Sequence, residues 1–240
     1  MEGPSIYALA EDLQPFKNKK IKKIYGNAQF EKDYLVYQTI KDIYSFGKRL
    51  IIQLDNVALI THFLMYGSYR IDEPRPDRVP RLAIETNTHK LFFYNCSTKI
   101  EKNKNIKKKL PLQFDILSDK WDVKQATKAM KTDPNQTIDD VLLDQEIFPG
   151  VGNIIKNEAL FMSKILPWAQ IKNLSTKQLK EIALNARTFS FHFLKWRKLF
   201  QKKNLLIYRK KECPVCRANV IRGKTGKRNR WSFWCPVCQH

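Results

Sequence analysis

The 240-residue sequence has no apolar run long enough to cross a bilayer. Its first residues, Met-Glu-Gly-Pro, lack the basic stretch followed by an apolar one that marks a secretory leader, so a soluble cytoplasmic protein is expected. Acid is also scarce: 23 Asp and Glu stand against 44 Lys and Arg, a net charge of +21 that calls for a polyanionic partner. The surplus is spread along the whole chain and not gathered on one amphipathic helix, which argues against a membrane surface and for nucleic acid. Of only five cysteines, four form two Cys-x-x-Cys pairs near the end, a metal arrangement and not a disulfide framework, and Cys96 is left for a buried strand.

What is present is organised around residues 139–161, DDVLLDQEIFPGVGNIIKNEALF. Val141, Leu142, Gln145, Ile147 and Phe148 read as the end of one amphipathic helix, stopped by Pro149. Ile154, Ile155, Ala159 and Leu160 read as the core face of a second, opened by Asn153. Gly150 and Gly152 between them permit positive φ or a close backbone approach. A corner of this kind points N–H groups and a positive helix terminus at a phosphate, or it is an ordinary interhelical turn; the cationic composition favours the phosphate.

At the N-terminus, Ile6, Leu9, Ala10 and Leu13 make the apolar stripe of a helix that Pro15 stops. Glu2 lies beside the α-amine of Met1. Such an amine has an ordinary pKa of about 7.7–8.0, so a usable fraction is a neutral nucleophile that a carboxylate can serve with protons. The same residues also suit a frayed terminus. From Lys20 onward the period shortens to two, and around eight short strands in some 110 residues predict a β-sandwich or barrel. Gly47-Lys48-Arg49 sits on a turn between two of these strands, where Lys48 is a candidate phosphate contact. His62 is a strand histidine or a phosphate donor. Leu64, Met65 and Tyr66 crowd a break near Gly67, either as core packing or as a wedge that fills the gap left by an everted base. Residues 101–109 read as a flexible basic loop and 111–121 as a linker. Helices follow over 123–130, from about 137, and from Thr176 to about Phe200, the last opened by the capping-box pattern Ser175…Gln178. In the tail, Cys213, Cys216, Cys235 and Cys238 flank a hairpin rich in Arg and Lys and converge on one structural zinc ion.

Taken in order, Glu2-Gly3-Pro4, Gly47-Lys48, Thr61-His62 with Met65-Tyr66-Gly67, Leu143-Asp144-Gln145 through Gly150-Val151-Gly152-Asn153-Ile154, Asn157-Glu158-Ala159-Leu160, and the cysteine pairs with Arg230 resemble the formamidopyrimidine-DNA glycosylase / endonuclease VIII family over essentially the full length. The resemblance implies an α+β multidomain chain with boundaries at 1–112, an N-terminal antiparallel β-sandwich with a leading helix; 113–204, a helix-two-turns-helix domain; and 205–240, a zinc-finger β-hairpin. It implies a monomer clasping damaged double-stranded DNA, a glycosylase and abasic-site lyase whose terminal amine forms a Schiff base at C1′. Carried over residue by residue, Met1, Glu2 and Lys48 are catalytic, and Lys48, His62, Met65, Asn153 and Arg230 contact DNA. The family's usual N-terminal proline is missing, and Met1 stands in its place with a primary amine. That departure leaves a second reading open, an impaired or non-catalytic binder of abasic DNA. Ser5 replaces the family's next Glu, no Arg-Phe wedge pair stands near Phe93-Tyr94-Asn95-Cys96, and the short, glycine-free segment 199–212 implies oxidised pyrimidines or abasic sites over oxidised purines.

Overall fold

A computed structural model describes residues 1–102, 106–196 and 204–240. They form two compact units: Met1 with 5–110, and Glu2–Pro4 with 111–240. In the first, α1 (Gly3–Asp12) buries Ile6 and Leu9, and one six-stranded antiparallel sheet runs in the order β1-β5-β6-β4-β3-β2. The strands are β1 (Lys23–Tyr25), β2 (Asp42–Phe46), β3 (Arg49–Gln53), β4 (Ala58–Ile71), β5 (Leu82–Glu85) and β6 (Lys90–Glu101). The expected sandwich thus takes the form of one continuous sheet. Alternate residues of both its halves, among them Leu50, Ile52, Leu59, Leu82, Ile84, Leu91 and Phe93, share a single apolar core with α1. Cys96 is buried on β6, as its place in an apolar run required.

Two strands run further than the sequence suggested. β4 does not end at Gly67, and β6 is not short but reaches from Lys90 to Glu101, because the two pair in register on both sides of one irregularity. Phe63 faces Cys96 and Ser68 faces Tyr94, so residues 64–67 are looped out opposite Asn95. The expected basic loop over 101–109 holds the end of β6 and a short helix, α2 (Ile106–Lys109); residues 103–105 lie outside the described ones.

The second unit holds α3 (Val123–Met130), α4 (Ile138–Leu142), α5 (Asn153–Met162), α6 (Thr176–Lys195) and the hairpin of β7 (Ile221–Thr225) and β8 (Arg230–Trp234). Asp122 caps α3 by accepting from the N–H groups of Lys124 and Gln125, and Ser175 and Gln178 complete the expected capping box on α6. The stretch beyond residue 196 that was expected to continue α6 falls outside the described residues over 197–203. One expectation is corrected: α4 ends at Leu142 and not at Phe148. The Gln145 amide donates to the carbonyls of Leu143 (2.9 Å) and Val151 (3.0 Å), taking the Leu143 carbonyl that a continuing helix would offer to Ile147. Side chains also tie the hairpin region to the helices. The buried Glu158 carboxylate accepts from the N–H groups of Leu206, Ile207 and Tyr208, and Gln239 bridges Cys235 N–H and the Ile165 carbonyl. Among the described residues no helix is long and apolar enough to cross a membrane.

Candidate functional site

The Gly-x-Gly corner of the second unit is built around a carboxylate from the start of the chain. Glu2 Oε1 accepts from Ile154 N–H at 2.7 Å and Oε2 from Ile155 N–H at 3.2 Å, so both oxygens sit on the free donors of the α5 N-terminus. Helix dipole and donors together stabilise negative charge at that point. Gly152 makes the approach possible: a Cβ there would lie 2.3 Å from Glu2 Cδ and 2.5 Å from its Cγ. Gly3 N–H donates to the Gly150 carbonyl at 2.8 Å and fixes the same segment. Met1 is partly buried against the core of the first unit.

Asn153 opens α5, and its amide Nδ2 donates to the Trp231 carbonyl at 2.8 Å, next to Arg230 on β8. Arg230 is exposed at the start of that strand. The hairpin turn is pinned from below: Asp140 accepts from the N–H groups of Lys227 (2.6 Å) and Arg228 (3.0 Å). Gly226, at φ +65°, leaves room for that carboxylate, because a Cβ would lie 2.6 Å from Asp140 Oδ1. Asn153, one of the predicted contacts, is thereby held to the strand at the residue after Arg230, another of them.

In the first unit Lys48 sits in the β2–β3 turn and His62 on β4, whose partner in register is Arg49. His62 Nδ1 lies 3.1 Å from the Lys48 carbonyl, so these two predicted residues also stand together. Leu64, Met65 and Tyr66 do not pack into the core. They are 45%, 72% and 89% exposed on the looped-out segment of β4, which decides against core packing and leaves three apolar side chains pointing into solvent. The Asn95 amide donates to the Met65 carbonyl and holds the loop from the opposite strand.

Cys213 and Cys216 precede β7, and Cys235 and Cys238 follow β8. Their four sulfurs lie within 4.8 Å of one another and could hold a metal ion. The donor set fits a soft, tetrahedral cation: Cys213 and Cys235 are buried, and Cys238 N–H points at Cys235 Sγ. Hydrogen bonding with Cys216 and the other crowded thiols pushes Cys238 up to about 12, so four thiolates need a cation among them.

Lys156 was not among the predicted site residues, and Asn157 and Glu158 entered only through the family resemblance. All three are buried, although they are consecutive and polar on α5. Three consecutive helical residues sweep roughly 200°, so at least one had to face inward, and that signal was available.

Residues 3–100 match the family described as the formamidopyrimidine-DNA glycosylase N-terminal domain, and residues 112–189 its H2TH domain. The chain is 30% identical to Endonuclease 8-like L720 of Acanthamoeba polyphaga mimivirus, covering 100% of this chain and 99% of that one. It is 32% identical to Endonuclease 8-like 3 of Xenopus laevis over 80% of this chain, and spans 33% of that relative's length. A solved viral DNA glycosylase superposes with a TM-score of 0.86 at 24% identity over the whole of both chains. The Lactococcus lactis Fpg in complex with DNA containing an abasic site gives 0.87 at 21%, again over both whole chains. The fold is therefore that of the Fpg class. The chain belongs to the formamidopyrimidine-DNA glycosylase / endonuclease VIII family, near its endonuclease 8-like branch.

Proposed function

We propose that this protein is a base-excision DNA glycosylase and abasic-site lyase acting on damaged duplex DNA, with oxidised pyrimidines as its preferred lesions. The observation that carries the reading is Glu2, whose carboxylate is seated on the α5 N-terminus in space kept clear by Gly152. A carboxylate fixed one residue from the terminal amine is placed to take up and return protons while the amine of Met1 attacks C1′ and expels the base. Lys48, His62, Asn153 and Arg230 hold phosphates around the everted nucleotide. Met65, with Leu64 and Tyr66 beside it, fills the vacated stack, which is a use for three apolar side chains that are otherwise exposed. The cysteine set holds structural zinc. Cys213, Cys216, Cys235 and Cys238 would hold it with four thiolates and leave no open position for water, so it would shape the hairpin that presents Arg230 and supply no chemistry.

A primary amine gives an imine that can shed its proton, whereas a proline gives an obligately charged iminium and a stronger electron sink for β-elimination. With Met1 as the mature terminus, the protein is expected to form the adduct and nick slowly. The second reading is a binder of abasic DNA that does not cut. Duplexes carrying one oxidised pyrimidine, one oxidised purine or one abasic site separate the two: release of the pyrimidine supports the enzyme, and tight abasic binding with no release or nick supports the binder.

A further inference from the structure

Three side chains of α5 converge on one carbonyl of the hairpin. Asn153 Nδ2 (2.8 Å), Lys156 Nζ (3.3 Å) and Asn157 Nδ2 (3.3 Å) all donate to the carbonyl of Trp231, the residue that follows Arg230. Lys156 also donates to Ser232 Oγ at 2.7 Å, and Ser232 is linked through Thr225 Oγ1 to the Asp139 carboxylate. The lysine is 0% exposed, and its contacts are a carbonyl and a hydroxyl, not a carboxylate. A buried ammonium with neutral partners is costly, and a neutral donor would serve as well if these bonds only glued the hairpin down. The charge itself needs a purpose.

We propose that Lys156 is a positioning residue for the phosphate grip: its charged amine holds the Trp231–Ser232 peptide, one residue on from Arg230, and with it the Asn153 amide, in the arrangement that receives the DNA backbone. The proposal rests on the functional reading above. Burial pulls the amine down to about 8. Asp139 and Asp140 from α4 and Glu2 from the chain start oppose that shift, and Arg230 from β8 adds to it. Lys156 and Arg230 therefore repel one another, which drives the guanidinium outward, towards an incoming phosphate. A phosphate at Arg230 relieves the repulsion and makes the Lys156 proton harder to remove. By linkage, binding must then weaken as Lys156 loses that proton.

The test is affinity for a duplex with a reduced abasic site, which cannot form a Schiff base, measured by fluorescence anisotropy at fixed ionic strength from pH 6.5 to 9.5. If DNA raises the Lys156 pKa by about one unit, wild-type affinity falls about ten-fold between about pH 8 and about pH 9. Lys156→Met should bind weakly at every pH with no such step, and Arg230→Ala should lose the step as well. A step that persists in Lys156→Met overturns the proposal and assigns it to another group titrating in this range, such as the terminal amine. Should that variant fail to fold, the Arg230→Ala profile and the backbone amide resonance of Ser232, whose peptide carries the Trp231 carbonyl, decide in the DNA-free wild type. The resonance is expected to titrate near pH 8, and an invariant one overturns the proposal. A wild-type protein that binds no duplex at any pH defeats the functional reading, and the Ser232 titration then judges Lys156 by itself.

Discussion

An alanine at position 152 asks whether Glu2 is held where the chemistry needs it. The Gly152 backbone lies at φ −118°, ψ −167°, extended geometry that alanine adopts without strain, so any large cost comes from what the new Cβ meets. It meets Glu2 Cδ at 2.3 Å and Cγ and Oε1 at 2.5 Å, far inside van der Waals contact, and the carboxylate must leave. The N–H groups of Ile154 and Ile155 then lose acceptors at 2.7 and 3.2 Å. A hydrogen bond to a charged group contributes about 1.5–3 kcal/mol, and water reaching half-buried donors recovers part, so the loss is about 2–4 kcal/mol. Glu2→Ala removes the same bonds by another route. In that background Gly152→Ala should cost only the difference between Gly and Ala at a helix N-cap, below about 1 kcal/mol. Urea unfolding of the four proteins should return a coupling of about 2 kcal/mol or more, and base release should fall alike in all three variants. An equal cost of Gly152→Ala in both backgrounds would refute the claim that this glycine exists to seat Glu2.

Other outcomes follow from the same geometry. Lys156 is held at about 8 against an ordinary 10.5, so between those values the unfolded chain binds the extra proton. Stability should therefore climb as pH rises from about 8 to about 10.5, by about 3 kcal/mol at the limit, and Lys156→Met should lack the climb in urea unfolding. Stripping the metal with a chelator, or Cys216→Ser, should abolish DNA binding while the first unit keeps its circular dichroism; full incision by metal-free protein would contradict the structural role. With about three to six phosphates neutralised, the slope of log affinity against log salt should be on the order of −3 to −5, and a slope near zero would contradict a grip on the backbone.

The sequence carried the parts of this protein whose geometry is local. The cysteine pairs, the Lys48 turn, the Ser175 capping box and the Asn153 helix start depend on a few neighbouring residues, and each stands where its pattern put it. What escaped depended on partners far along the chain. The run from Asp139 looked like a helix reaching Phe148, because nothing local says that Gln145 will take the Leu143 carbonyl and reach on to Val151. β4 and β6 looked short because their pairing resumes beyond the looped-out residues only once the two strands meet. Gly152 looked like a turn glycine, and only the seating of Glu2, 150 positions earlier in sequence (152 − 2), shows that the space it leaves is occupied. The buried Lys156 was read past because its partners lie on a hairpin more than 70 residues away, as the separation of Lys156 from Ser232 shows.

The most direct measurement of the central claim is borohydride reduction of the protein mixed with a duplex holding one abasic site, followed by mass spectrometry of the cross-linked peptide and of the intact protein. The account predicts a stable covalent complex whose modified residue is the terminal α-amine beside Glu2, reduced in yield by Gly152→Ala and by Glu2→Ala. A protein that binds the duplex tightly yet forms no adduct, or one joined through a lysine side chain instead, would contradict it.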